Sequence, residues 1–406
     1  MMSRSLENIR VVDLSHVLAA PTCTMFLADL GAEVIHVEPL HGDDAREFGP
    51  FAGGGGKNNS GYFISLNRNK KSLALDLKKE KGKKILTELI RVSDVVVENF
   101  RPTTMRKLGF GWEELRRINP RVIYASISGF GQDSLPGYDA RPSYDMVAQG
   151  YSGLMSITGP EGGPPCRVGS SVGDIFAGHQ AAIGILAALL HREKTGRGQH
   201  FDGAMIDGLF TVLENAVVRY TISGEVPGPL GSAHPSIVPF QSFPTKDDAH
   251  IIIALGNDNL WKTFCLLIGR QDLSDHPKYA TNPLRTQHRK ELERILIPEF
   301  RKKTRNEWLD LLGQADLPHS PANNIKEICE DPHIAYRNML VEIDQPGVGK
   351  MKIVGSPIRL SETPGEVYAP APLLGQHSEE ILERLLGYSR PDIEALKEEK
   401  VINPTA

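Results

Sequence analysis

The sequence predicts an α/β fold built on a parallel sheet, with a smaller module after it. Three observations carry this reading. Short apolar runs alternate with helical stretches through the first half of the chain. The composition turns abruptly to Pro and Gly at 224–231, and strand and helix patterns then resume in a shorter segment. Repeated strand–helix–strand units imply a parallel sheet covered by helices on both faces.

Residues 9–14 read as a short buried strand. Pro21 opens a helix that runs to Leu30 and is closed by Gly31, following the preference for Pro at helix starts and Gly at helix stops. A second strand is predicted over 33–38 and a third over 73–77, followed by a charged helix over 79–93. Strands at 94–100 and 122–127 flank a short helix over 104–108. Two longer helices are predicted at 175–194 and 203–222, separated by the basic, glycine-rich turn KTGRGQ. Beyond the 224–231 linker come a strand at 250–255, a helix at 260–268 and a charged helix at 289–302. Pro-rich segments return at 318–321 and 364–372, and surface helices are predicted over 378–386 and 392–399. No internal repeat is present.

The 406 residues carry a net charge of −4, with 40% hydrophobic and 24% charged residues. No global basic field points to nucleic acid, and the basic cluster at 78–84 reads as a solvated helix face. Cys23, Cys166, Cys265 and Cys329 form no CxxC pair, so neither a structural zinc site nor a disulfide framework is expected. Each reads as a small buried apolar residue. The N-terminus lacks an apolar signal core, and uninterrupted apolar runs such as 185–190 fall far below membrane-spanning length. The expectation is a cytoplasmic protein with no membrane, metal or nucleic-acid partner.

GxGxxG after the first strand, GxxxxGK[ST], HExxH and GxSxG are all absent. The glycine run at 53–56 is open to two readings, a surface loop or a phosphate cradle. Asp174 follows Gly169-Ser170-Ser171-Val172-Gly173 and begins a strongly apolar helix. A carboxylate there accepts backbone N–H bonds and faces the positive end of the helix dipole, which favours the ionised form that a nucleophile needs. On these residues alone a plain helix cap is the commoner alternative. Asn99 and Asp145 are polar residues at element edges, where turns and caps are common. His16 and Val17 follow the first strand at its C-terminal end, the edge where open α/β sheets bind ligands. His36 lies within a strand and reads as structural.

Together these segments resemble one family. VVDLSHVLAAPTCTMFLADLGAEVIHVEP is similar to the opening of class III CoA-transferases, as are LNRNKKSLALDLK, VVVENFRPTTMRKLGFGWEEL, NPRVIYASISGFGQ and YDMVAQGYSGLMSITG. VGDIFAGHQAAIGILAALLHREKTGRGQ carries the family's nucleophile position, Asp174, and SIVPFQSFPTKD, GNDNLW and PLLGQH extend the likeness over nearly the whole chain. The resemblance implies an open, Rossmann-like large domain. It comprises 1–223 and a C-terminal part, 326–406, that returns to it, with a small α+β domain inserted at 224–325. It also implies an interlocked, ring-like homodimer, with the linkers at 224–231 and 318–321 where a ring needs them.

The activity implied is transfer of CoA from an acyl-CoA to a carboxylic acid, with CoA thioesters as substrates and no permanently bound cofactor. Asp174 attacks the thioester to give an aspartyl anhydride and then an aspartyl-CoA thioester. His16, Val17 and Ala19 match residues lining the CoA path. Leu75 and Lys78 match an adenine-edge and phosphate-side pair, and Asn99, Thr104 and Lys107 match further CoA contacts. Asp145 matches an acidic residue near the nucleophile. Pro39 stands where many members carry a CoA-binding Arg, so that contact is lost or moves to Arg46 or Lys71. Leu18 replaces the Gln of formyl-CoA transferases, against formyl or oxalate chemistry. GSAHPSIVPFQSFPTKDD is most similar to the succinyl-CoA:dicarboxylate branch, whose acceptors include glutarate, benzylsuccinate, malate and citramalate. A second carboxylate on the acceptor needs a cation, for which Arg46, Arg68 and Arg141 are the candidates. Two rival readings remain. An α-methylacyl-CoA racemase shares the fold but has His before the Asp that aligns with Asp145, where this chain has Tyr144. A CoA-binding subunit of a heteromeric transferase is the other.

Overall fold

The computed structural model describes residues 4–53, 56–139 and 141–403. The central two glycines of the 53–56 run lie outside them. Two compact units are formed. One comprises the chain up to Leu154, Arg167–Val217 and everything from Pro332 on; the other comprises Met155–Cys166 and Val218–Asp331.

The first unit is built on six parallel strands: β1 (Arg10–Asp13), β2 (Glu33–Glu38), β3 (Lys71–Ala74), β4 (Val95–Glu98), β5 (Ile123–Ser128) and β6 (His200–Ala204). Their spatial order is 3-2-1-4-5-6. The chain therefore winds outward from β1 in one direction and then returns to wind outward in the other. β1 stays paired with β4 to its C-terminal end, and the reversal between them is the point where open α/β sheets leave a crevice beyond the strands.

The helices between the strands are α1 (Ala19–Asp29), α2 (Gly61–Asn67), α3 (Glu80–Arg91), α4 (Thr104–Leu108), α5 (Trp112–Ile118), α6 (Asp145–Ser152), α7 (Leu154–Ile157) and α8 (Val172–Thr195). After β6 come α9 (Met205–Val212) and α10 (Asn215–Ser223). Alternation along the strands divides the sheet into two faces. Val12, Ile35, Val37, Val96 and Tyr124 form a continuous apolar core with Ile85, Leu86 and Leu89 of α3 and Leu115 of α5. The other face is covered by α1 and α8, which pack on each other. A Cβ at Gly178 of α8 would lie 2.6 Å from the Ala19 carbonyl oxygen, so the absence of a side chain there permits the close approach. On this face the strand ends carry Asp13, His36 and Glu38, all fully buried.

Several expectations are corrected. Residues 203–222 do not form one helix. His200–Ala204 is a strand paired with β5, and two shorter helices follow. The third strand lies at Lys71–Ala74, ahead of the predicted 73–77. Cys166 is half-buried and Cys329 exposed, so only Cys23 and Cys265 are buried as expected. By length and composition α8 is long and apolar enough to cross a membrane, as core helices of α/β proteins can be, and it packs on α1 within the first unit.

The second unit holds a three-stranded antiparallel sheet of β7 (Phe240–Pro244), β8 (His250–Ala254) and β9 (His319–Pro321). The Pro-rich segment at 318–321 is thus no linker. It is an edge strand, where Pro is tolerated because one side of the strand donates no ladder bond. Around the sheet lie α11 (Asp258–Leu267), α12 (Gln271–Ser274), α13 (Asn282–Gln287), α14 (Arg289–Phe300), α15 (Arg305–Gln314) and α16 (Ile325–Cys329). Its core is aromatic: Phe243, Trp261, Phe264, Phe300 and Trp308 are buried together. Residues 155–166 join this unit through Glu161, which pairs with Arg289 and Lys290.

The returning chain adds α17 (Pro332–Tyr336), the hairpin β10 (Leu340–Gln345) and β11 (Gly349–Val354), α18 (Ser378–Glu380) and α19 (Arg390–Glu398) to the first unit. Ile402 forms a bridge to Leu75, beside the end of β3.

Candidate active site

Two cavities open along the C-terminal edge of the parallel sheet. The larger, about 540 Å³, is lined by residues following β1, β2 and β3 and by α4, among them Leu75, Lys78 and Thr104. The smaller, about 140 Å³, is lined by Val17, Leu18, Ala19, Asn99, Arg141 and Asp174, among others. His16 and Phe100 line both cavities, so the two meet at the crevice between β1 and β4.

That junction is built by reciprocal bonds. The His16 N–H donates to Asn99 Oδ1 at 2.8 Å, and Asn99 Nδ2 donates to the His16 carbonyl at 2.8 Å. The His16 ring stacks on Phe100, with centroids 5.6 Å apart. Burial lowers the His16 pKa, which favours the neutral imidazole. Beneath the Phe100 turn lies Glu98, buried at the end of β4. It accepts from the Phe100 N–H at 2.7 Å, the Tyr124 hydroxyl at 2.7 Å and Gln132 Nε2 at 2.9 Å. Burial nevertheless raises its pKa to about 7.

Val17 has φ 65°, a left-handed conformation that is a genuine outlier for a β-branched residue. Such strain costs on the order of 1–3 kcal/mol and clusters at functional sites. Leu18 precedes α1 without offering a side-chain cap, and Ala19 begins the helix.

Asp174 is the third residue of α8. Among the described residues it is the only carboxylate lining the smaller cavity. The N-cap residue Ser171 makes no side-chain cap, and only burial and the Asp145 charge shift the Asp174 carboxyl. The cap comes instead from Asp145 on α6, whose Oδ1 accepts the Gly173 N–H at 2.8 Å while Oδ2 accepts from Gln149 at 2.8 Å. The expectation that N–H donors hold Asp174 ionised is therefore corrected. Burial, and secondarily the Asp145 charge, push Asp174 up to about 7.

The remaining sequence candidates separate clearly. Leu75 is buried in the wall of the larger cavity, and the exposed Lys78 stands at its rim. Lys107 is exposed on α4 and lines neither cavity. Arg46 and Arg68, proposed as cations for a substrate carboxylate, are fully buried and already paired. Arg46 clasps Glu38 with two bonds of 2.7 Å and lies over the Phe63 ring, and Arg68 clasps Asp29 at 3.1 and 2.7 Å. Lys71 bridges Glu33 and Glu380. Arg141 alone of the three arginines lines the cavity with Asp174; it lies over the Tyr138 ring at 4.0 Å.

Phe100, Arg101, Glu98 and Asp43 were not singled out from sequence. The first three follow or end β4, where the rule that raised His16 applies equally. Asp43 has no such signal, because its importance comes from contacts with β1 and β2. Among the described residues no group of three or more His, Cys, Asp or Glu is placed to hold a metal ion.

The fold and cleft define a doubly wound α/β protein whose switch-point cavities end at a half-buried carboxylate. The family model described as CoA-transferase family III matches residues 6–378, and the chain belongs to that family. It is 41% identical over 387 residues to the succinyl-CoA:glutarate CoA-transferase of Homo sapiens, covering 95% of this chain and 87% of that one. It is 42% identical to the succinyl-CoA:mesaconate CoA-transferase of Haloarcula hispanica, covering 93% of this chain and 96% of that one. A crystal structure of a CAIB/BAIF family protein from Brucella suis superposes with a TM-score of 0.83 at 36% identity, covering 94% of this chain and 99% of that one.

Proposed function

We propose that this enzyme transfers CoA from succinyl-CoA to a dicarboxylic acid such as glutarate or a 2-substituted succinate, with Asp174 as nucleophile. The observation that carries the reading is the placement of Asp174 as the only described carboxylate in a cavity that joins, at His16 and Phe100, a second cavity long enough to extend the site along the sheet edge. The carboxylate attacks the donor thioester carbonyl and expels CoA thiolate, leaving an aspartyl–succinyl anhydride. The thiolate then attacks the aspartyl carbonyl, releasing succinate and leaving an aspartyl-CoA thioester. The acceptor carboxylate attacks that thioester, and the expelled thiolate takes the acceptor acyl group from the resulting anhydride, regenerating Asp174. A covalent intermediate divides an exchange that lacks a good direct route. Lys78 serves the phosphate side of CoA and Leu75 its adenine edge, and Thr104 makes a further CoA contact.

The dicarboxylate preference is supported by the relatives' names and by Arg141. A distal carboxylate entering this cavity meets Arg101 and Arg141, cations that spare it the cost of an unpaired buried charge. Arg141→Ala is expected to lower kcat/KM for glutarate by about 10- to 100-fold, and for a monocarboxylate of similar length by much less. Equal losses for both acids would remove Arg141 from this role.

The deciding experiment mixes the purified chain with donor thioester and acceptor acids and measures CoA exchange. Asp174→Ala should abolish exchange with the fold intact, and hydroxylamine or borohydride trapping should mark Asp174 in the wild type by mass spectrometry. Retention of more than a few per cent of activity by Asp174→Ala would sink the covalent role. Faster transfer to acetate, formate or oxalate than to every longer dicarboxylate would sink the substrate assignment. Loss of α-proton stereochemistry without CoA exchange would favour the racemase reading.

A further inference from the structure

We propose that Asp43 is a positioning residue for the acyl-CoA site: its carboxylate holds Val17 in the left-handed conformation and so fixes the His16–Ala19 segment between the two cavities. The inference rests on the CoA-transferase reading above. Both carboxylate oxygens of Asp43 stand 3.2 Å from the Val17 nitrogen, and its N–H is the donor. Val17 lacks the freedom that lets glycine adopt φ 65°, so the conformation persists only because its surroundings impose it.

Asp43 is itself rigidly held. Its Oδ1 accepts the Ala45 N–H at 2.8 Å, and its own N–H donates to Glu38 Oε2 at 3.0 Å. His36 Nε2 lies 3.6 Å from Oδ2, and His36 Nδ1 lies 3.2 Å from Asp13, which also meets Lys70 at 3.1 Å. Glu38 is in turn clasped by Arg46. Every one of these side chains is buried, so the chain of charges runs from the end of β1, through β2, to the loop that touches Val17. Asp43 lies on the wall of the larger cavity and Val17 on the wall of the smaller. Their bond ties the two walls together beside His16, which belongs to both.

A double-mutant cycle tests this, because glycine at position 17 needs no restraint to be left-handed. Asp43→Ala should raise KM for the acyl-CoA donor at least about tenfold, with a smaller fall in kcat, while the same change in a Val17→Gly background should cost under about threefold. Asp43→Asn keeps an oxygen for the Val17 N–H and should stay within about threefold of the wild type. An equal factor in both backgrounds, or an unchanged KM in Asp43→Ala, overturns the proposal. If Asp43→Ala shows no cooperative melting, Asp43→Ser replaces it in the cycle, since a serine hydroxyl still caps the Ala45 N–H but is one bond too short to reach Val17 as Oδ1 does. A wild-type chain without CoA exchange would overturn the underlying reading instead. An active wild type with an additive cycle overturns only the role of Asp43.

Discussion

Asp174 sits at a helix start yet is raised from 3.8 to about 7, because burial and the Asp145 charge outweigh what the helix offers. The dipole at a helix N-terminus is worth about 0.3–1 kcal/mol, less than the roughly 1.4 kcal/mol of one pH unit. In the proposed mechanism the attacking species is the carboxylate, so kcat/KM should climb about tenfold per pH unit below 7 and level off above it. The stability effect has the opposite direction. In the unfolded chain this group ionises near 3.8, and in the folded chain only near 7. Between those values the unfolded state binds fewer protons, so the contribution of Asp174 to stability falls as pH rises through the window and is constant above it. Asp174→Asn removes the titration. Its stability advantage over the wild type should grow from almost nothing near pH 4 to at most about 4 kcal/mol at pH 8. Denaturant midpoints across that range check the trend, and an advantage that shrinks with rising pH would contradict it.

The same carboxylate depends on how two helices meet. Asp174 and Gly178 lie four residues apart on one face of α8, and Gly178 presses against Ala19, whose side of the smaller cavity faces Asp174. A methyl group at 178 meets the Ala19 carbonyl oxygen and Thr22, neither of which can swing aside as a long side chain would. Gly178→Ala should therefore separate α1 from α8, lower kcat/KM at least about tenfold and cost about 1–3 kcal/mol of stability. Gly184→Ala meets the Phe201 ring instead and should cost stability without that loss of rate; equal kinetic losses at both positions would refute the packing argument. Gly178 also shows where sequence reading stops. The strand Glu33–Glu38 and the helix Thr104–Leu108 have the bounds their local patterns predict. The strand His200–Ala204 is missed, and its last two residues are read into a helix, because its strand character comes from pairing with β5 and an apolar helical run follows it directly. At the site, His16 and Val17 are legible from their place after β1, whereas Asn99 reads as a turn residue until the family resemblance is weighed. The ionisation of Asp174 is not, because it is set first by burial, which only folding creates, and then by Asp145 on another helix. Arg46 and Arg68 look available in sequence, since the Glu38 and Asp29 that neutralise them are brought in only by folding.

At the scale of the molecule, α8 is too apolar for the exposure it has in one chain. It spans 24 residues, and only 44% of its most apolar window is buried. Its inner face packs against α1, while Ile183 and Leu190, two turns apart, are 68% and 67% exposed. Phe210 on α9 and Met146, Val147 and Tyr151 on α6 are also open to solvent. Large exposed side chains recurring at helical spacing mark a surface that water does not favour. The expected assembly is a homodimer that covers this surface, and an obligate interface of that kind buries on the order of 2,000 Å² or more. The consequence reaches the proposed chemistry because the helix that offers this surface also carries Asp174 in its first turn. Ile183→Lys combined with Leu190→Lys should release monomers or unfold the chain, and any folded monomer should have lost most CoA exchange. Light scattering at micromolar concentration decides the matter. A monodisperse wild-type monomer rejects the dimer, and a stable complex with a related but different chain replaces it with a heteromer.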